Sequence, residues 1–241
     1  LSLAQGDAIQ WLDADDLLGE RKLEAQLKLL NQNPQHLIAS KWRRFAGDLT
    51  HLWPEEKGAW SHVPVQSSPR EWLLAERMMI PAGWLGSRQL FESIQPWDES
   101  LLINQDGEYF TSAIVASNGV IFEPQSRVYY RSEMHGSVSQ FKPHKAPSLF
   151  ASVESFEQAV LQLGNDSAIK TLISNQYMGF IYRVYPLVPE LRKKARAKIK
   201  HYGKPTREND VAESKVARLI CVIFGWKFLV QLRLLRNPHQ P

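Results

Sequence analysis

GDAIQWLDADDLLGERKLEAQ, residues 6–26, decides how the rest of the chain is read. Residues 8–12 are a short, mostly apolar run of strand character that ends abruptly in Asp13-Ala14-Asp15-Asp16. Leu17, Leu18, Leu23 and Leu27 then space out with helical periodicity. Three carboxylates in four residues repel one another unless a cation sits between them. A divalent ion held by oxygen ligands is the usual remedy, because Mg²⁺ or Mn²⁺ accepts carboxylate and keeps positions open for substrate phosphate. The same residues also suit a helix start, with Asp15 or Asp16 as an acidic N-cap. Spacing leaves both readings standing.

Working outward, the first half of the chain is acidic and the second is basic. Residues 1–144 hold 13 Lys/Arg against 18 Asp/Glu, and residues 145–241 hold 16 against 7, within a net charge of +4. That shift divides the 241 residues into an acidic domain, 1–144, and a basic helical region, 145–241. The single cysteine, Cys221, excludes an internal disulfide and fits a reducing compartment.

After the helical pattern of residues 17–31, the Asn-Gln-Asn-Pro cluster ending at Pro34 is a stop. Residues 37–45 have strand character, 46–69 read as loop with Trp53 and Trp60 pinning it, and Pro69 opens a short helix. Residues 120–122 and 127–130 read as two short strands. Residues 148–163, 168–185 and 189–201 are helical by periodicity, and residues 211–236 read as one last helix.

LAQGDAIQWLDADDLL followed by KLEAQL, residues 3–18 and 22–27, resembles the segment around the Asp-X-Asp motif of glycosyltransferase family 2, nucleotide-sugar transferases of the GT-A fold. The likeness continues through MMIPAGWLGSRQLFESIQPWDESLLINQDGEYFTSAIVASNG, residues 78–119, and covers roughly residues 1–139. Within it, residues 78–81 match a strand, 88–94 a short helix, 96–99 the family's W-D-E turn, and 105–108 an acidic motif that opens a helix.

The resemblance implies an α/β chain: the C-terminal part of a GT-A (Rossmann-like) domain with a mixed sheet, followed by an α-helical tail. It implies Asp13 and Asp15 as ligands of a Mn²⁺ or Mg²⁺ ion that grips the donor diphosphate. It also implies Asp106 as the base that takes the acceptor proton, with capping of its own helix as the plain alternative. Gln105 stands where the family often has Glu, which removes a neighbouring carboxylate. Arg131 and His135 fall in the segment that closes over the donor, where a guanidinium or imidazole meets diphosphate oxygens. Trp84, Trp97 and Glu99 fall on the acceptor side. Aromatic faces stack on sugar rings, although a tryptophan in an apolar segment is more often core.

The partners implied are a nucleotide-sugar donor and a carbohydrate or lipid-linked acceptor, in glycan or polysaccharide synthesis. In this family the nucleotide base is held by strand–helix units that precede the motif. The expectation is therefore an N-terminally truncated, inverting transferase, inactive as this fragment alone. A non-catalytic transferase scaffold is the alternative. A phosphatase of the haloacid dehalogenase type also places D-X-D after a strand, but its motif continues with Thr or Val where this chain has Leu17.

The basic tail shows no nucleic-acid recognition motif, so no nucleic-acid partner is expected. Its last helix interleaves Leu219, Ile220, Val222, Ile223, Phe224, Trp226, Phe228, Leu229 and Val230 with Arg218, Lys227, Arg233 and Arg236. Lys227 interrupts the run before it reaches the roughly 20 apolar residues of a membrane span. Peripheral contact with the inner face of a membrane, from the cytoplasm, and packing of the same residues on the core both fit.

Overall fold

A computed structural model describes residues 1–54, 60–77, 79–132, 141–206 and 214–236. The chain forms two compact units. Unit 1 is Leu1–Glu99 with Gln105–Val138, and unit 2 is Ser100–Asn104 with Ser139–Pro241.

Unit 1 is built on a mixed seven-stranded sheet: β1 (Ala8–Gln10), β2 (Leu17–Leu18), β3 (Leu37–Ala46), β4 (Asp48–Leu52), β5 (Gln66–Ser67), β6 (Trp84–Ser87) and β7 (Val120–Arg131). The order is β1-β6-β3-β7-β2, with β4 paired to β3 and β5 to β7. Among the described residues only β3 and β7 pair in parallel, from Leu37↔Val120 to Phe45↔Arg131, and the other pairings are antiparallel. β3 is central and covered, and accordingly opens with a continuous apolar run, Leu37, Ile38 and Ala39, each wholly buried.

Among the described residues this unit has the helices α1 (Lys22–Gln32), α2 (Pro69–Leu74), α3 (Arg88–Glu92) and α4 (Gln105–Ala116). α1 brings Leu30, Leu27 and Leu29 onto Ile38, Leu85 and Ile121 of the sheet. α2 starts where its sequence says it should. Ser68 and Glu71 form a reciprocal capping box around Pro69, with Ser68 N donating to Glu71 Oε2 at 2.8 Å and Glu71 N to Ser68 Oγ at 3.2 Å.

Several local expectations are revised. Leu17 and Leu18 are not the first turn of a helix: they pair with Tyr129 and Val128 as strand β2, and α1 begins only at Lys22. Its N-cap position is Arg21, which makes no side-chain cap, so neither Asp15 nor Asp16 caps it. Of the strand expected at residues 78–81, Met78 lies outside the described residues, residues 79–80 are not strand, and a 3₁₀ turn, Pro81–Gly83, leads into β6. Residues 46–69 are not all loop, since they contain β4 and β5.

The two strands expected in residues 120–130 are one strand with a bulge, where the register jumps from Ser40↔Glu123 to Lys41↔Arg127. Glu123 closes the bulge by accepting from the backbone N–H groups of Gln125 and Ser126. Pro124, which has no N–H to offer a ladder, falls inside it.

Unit 2 contributes α5 (Ala146–Val160), α6 (Ser167–Val184), α7 (Pro189–Tyr202), α8 (Lys215–Phe224) and α9 (Trp226–Arg236). The single last helix expected over residues 211–236 is thus two. They break at Gly225, whose φ of 79° lies in the left-handed region that ends helices. α5, α6 and α7 are tied together by Glu157, only 7% exposed. Its carboxylate accepts from Lys198 Nζ at 2.8 and 2.9 Å, from Tyr202 Oη at 2.5 Å and from Tyr177 Oη. Burial alone raises the proton affinity of Glu157. These donors outweigh that effect and leave its pKa lowered.

Candidate active site

β3 and β7 run side by side in parallel, and their carboxyl ends are where an open α/β sheet gathers ligands. The acidic turn is fastened there. Asp16 N donates to Asp13 O at 3.2 Å and closes the turn. Asp16 Oδ1 accepts from the backbone N–H of Arg131, the last residue of β7, at 2.9 Å. The Arg131 side chain returns over the Phe45 ring, 4.4 Å away, and donates from Nε to Asp15 O at 3.0 Å and from Nη1 to Gly47 O at 2.5 Å. Arg131, expected on the donor diphosphate, is thus bonded to the backbone of the acidic turn and of the β3–β4 corner. His135 lies outside the described residues.

Asp106 is in the first turn of α4, ninety positions beyond the acidic turn. The fold nevertheless brings it into the same field. Asp13 has its pKa raised first by the protein around it, then by the charge of Asp15, then by that of Asp106. Asp16 is 5% exposed, and burial pushes its pKa up to about 6. The N–H of Arg131 opposes that shift, and Asp13 and Asp15 add to it. Tyr130 on β7 answers to the same group: burial raises its pKa, and the charges of Asp16, Asp13 and Asp15 contribute.

An aromatic cluster, the wall, gathers around Trp11, with Phe91 and Tyr109 buried in it. Trp11, two residues before Asp13, meets Trp97 at 5.4 Å, Tyr109 at 5.3 Å and Phe91 at 6.1 Å between ring centroids. Trp97 is half-buried, and its indole Nε1 donates to Gln105 Oε1 at 3.4 Å. The amide at position 105 therefore anchors a ring of the wall. Trp84 does not belong to this wall as an open face. It is 2% exposed and packed between Trp72 at 5.6 Å and Phe110 at 5.7 Å, so the acceptor-side expectation for it is corrected to core. Glu99 is exposed in the turn after Trp97.

Trp11 in this cluster, and Tyr130 on β7, whose ring meets Trp42 instead, were missed by sequence reasoning. The one signal for Trp11 was its position directly ahead of the Leu-Asp step. Nothing local marked Tyr130, which reaches the acidic group through strand pairing.

Behind the turn, Lys22 is wholly buried and its Nζ donates to Gln10 Oε1 at 2.5 Å and Gln26 Oε1 at 2.6 Å. Gln26 continues to the carbonyls of Ile38 and Gly83 at 3.1 and 3.3 Å, and Gln10 to that of Ala82 at 3.0 Å. This network fixes the end of β1, from which the acidic turn departs.

Among the described residues, no group of three or more His, Cys, Asp or Glu side chains converges as a complete metal cluster. The donor set still suits a cation. The charges of Asp15 and Asp106 raise the proton affinity of Asp13, and Asp16 Oδ2 is buried with no hydrogen-bond partner. An ion of the Mg²⁺ type takes one or two carboxylates and fills its remaining positions with water and substrate phosphate, so a full protein cage is not required.

The family model Glycosyl transferase family 2 matches residues 1–95, which include the acidic turn and end before Asp106. The crystal structure of S. aureus TarS 1-349 in complex with UDP-GlcNAc is 15% identical with a TM-score of 0.53, over 83% of this chain and 67% of that one. The structure of S. aureus TarS 1-349 alone is 11% identical with a TM-score of 0.58, over 83% of this chain and 56% of that one. At these identities the likeness is one of fold, a mixed α/β sheet of GT-A type with C-terminal helices. This chain spans about two thirds or less of the TarS structures' length. No curated protein matches the chain.

Proposed function

We propose that this chain carries the diphosphate and acceptor parts of an inverting, metal-dependent glycosyltransferase site acting on a nucleotide-diphosphate sugar. One observation carries the reading: Asp106 sits close enough to Asp13 to raise its pKa, although the two are far apart in sequence. Asp106 also suits the first turn of its own helix, and a two-part transfer site needs its base beside its diphosphate carboxylates.

Asp13 and Asp15 would hold the cation, with Asp16 holding the turn in shape. When bound, a Mn²⁺ or Mg²⁺ ion supplies charge stabilisation to the departing diphosphate. Asp106 takes the proton of the acceptor hydroxyl as that oxygen bonds to the sugar C1 and the C1–O bond to the diphosphate breaks. One base acting in a single displacement inverts C1. Trp97 and Trp11 offer ring faces for a carbohydrate or lipid-linked acceptor beside that base. The Arg131 guanidinium, spent on Asp15 O and Gly47 O, keeps the turn at the ends of β3 and β7. UDP-GlcNAc in the similar TarS structure makes UDP-sugars the first donors to test.

The test is release of nucleoside diphosphate from a panel of nucleotide sugars, with Mn²⁺, Mg²⁺ or a chelator. In a protein that joins this chain to a unit holding the nucleotide base, turnover is expected with metal and none with chelator. Asp106→Asn should lower kcat by about 10²–10⁴-fold while leaving Mn²⁺–nucleotide binding in place. Asp15→Ala should lose that binding. Activity surviving both substitutions would overturn the roles assigned.

A further inference from the structure

The hairpin of α8 and α9 has two apolar faces, and only one is used inside unit 2. The inner face gathers Ala217, Cys221 and Leu229 with Ile220 and Trp226. Trp226 then sets its ring edge-on to Tyr182 at 4.8 Å and Tyr185 at 5.1 Å on α6. Those contacts account for the docking of the hairpin on the other helices of its own unit.

The outer face is surplus to that packing. Val216, Leu219, Val222 and Ile223 recur at the spacing that puts them on one side of α8, and they are 68, 60, 76 and 60% exposed. Phe224, 61% exposed, meets Phe228 at 5.0 Å across the Gly225 corner and carries the apolar surface onto α9, where Leu232 extends it. Large exposed apolar side chains are ordinary when scattered, and a contiguous set of them marks a contact surface.

Charge identifies the occupant. From Lys215 to the last residue the sequence has five Lys/Arg and no Asp or Glu. Arg218, Lys227 and Arg233 are all exposed on the hairpin. A second copy of the chain would bring the same cations against them. A surface that is apolar in depth and anionic at its rim satisfies both features at once, and a bilayer containing acidic lipid is such a surface. Among the described residues no helix is long and apolar enough to cross a membrane, so the geometry is one of lying along it.

We propose that the α8–α9 hairpin docks this chain on an anionic lipid bilayer, with its outer apolar face in the acyl boundary and Arg218, Lys227 and Arg233 at the headgroups. This inference does not depend on the transferase reading. A chain without transferase activity would still bind lipid, and an active one that ignores lipid would refute only this proposal.

The test is co-sedimentation of the 241-residue chain with phosphatidylcholine vesicles, with and without phosphatidylglycerol. Binding is expected to the mixed vesicles and little to pure phosphatidylcholine, with a strong decrease at high salt. Arg218→Gln, Lys227→Gln and Arg233→Gln together should reduce the bound fraction by roughly tenfold or more. Leu219→Glu with Ile223→Glu should abolish it while the helical circular dichroism is retained, since both side chains are exposed. Absence of binding to the anionic vesicles, or equal binding by the Leu219/Ile223 variant, would overturn the proposal. So would lipid-free dimerisation that this variant removes, which would make a second copy the occupant.

Discussion

Lys22 is the residue at which the chemistry of unit 1 is least forgiving. Its ammonium is wholly buried against two glutamine amides, and desolvation lowers its pKa from 10.5 to about 7. Below pH 7 the group is protonated in both folded and unfolded chains, and the cost of burying the charge is fully present. Between about 7 and 10.5 the unfolded chain binds the extra proton, so stability should rise with pH and level off above that window. The expected gain is of the order of 2–4 kcal/mol. It is measured as the urea midpoint against pH, and Lys22→Met should flatten the slope; a slope unchanged in that variant would assign it elsewhere.

Asp16 presents the opposite trade. One oxygen holds Arg131 N and the other is buried without a partner. Asp16→Asn keeps the first acceptor and removes the buried charge, so it should raise the melting temperature without metal by about 2–5 °C. Differential scanning calorimetry would show it. The letters D-A-D-D disclosed that carboxylates meet here. They did not disclose that the third one is a backbone fastener, because its partner is 115 positions away.

At the scale of elements, two junctions carry more than their length suggests. Gly119 joins α4 to β7 with φ 144°, and a Cβ there would stand 2.5 Å from Ser67 O on the neighbouring strand. Backbone cannot step aside cheaply, so Gly119→Ala should cost about 2–4 kcal/mol in chemical unfolding. Glu157 is the corresponding point in unit 2. Glu157→Ala leaves two tyrosine hydroxyls and an ammonium without their shared acceptor, and a loss of about 3 kcal/mol is expected by the same measurement.

Legibility varied with how local the cause was. α2 was readable because Ser68, Pro69 and Glu71 make a start signal among themselves. Leu17 and Leu18 were misread because their spacing to Leu23 and Leu27 suits a helix, while what makes them a strand is Tyr129 and Val128. Gly225 was read through, because the apolar run on both sides of it suggested a single helix.

Across the whole molecule, the GT-A type sheet was legible through a family likeness rather than through periodicity, and the matched model ends at residue 95. That the charge of Asp106 reaches Asp13 had no local signal, since no spacing rule joins a strand end to a helix start so far downstream. Binding at that meeting point should register globally. Mn²⁺ with UDP should raise the melting temperature by a few degrees, roughly what a ligand at ten to a hundred times its Kd supplies to a chain of this size. Asp13→Ala with Asp15→Ala should remove the shift, and an undiminished shift in that variant would move the metal site elsewhere.

The parallel pairing of β3 with β7 has a kinetic side. β3 and β7 first meet at Leu37 and Val120, more than eighty residues apart, so a long loop must close before any hydrogen bond between them repays its entropy. The acidic turn has its anchor points on the far ends of these two strands, at Arg131 and beside Phe45. During folding those anchors come into being only once the long closure is complete. The fastening of Asp16 to Arg131 therefore rests on that long-range closure and not on the acidic turn alone.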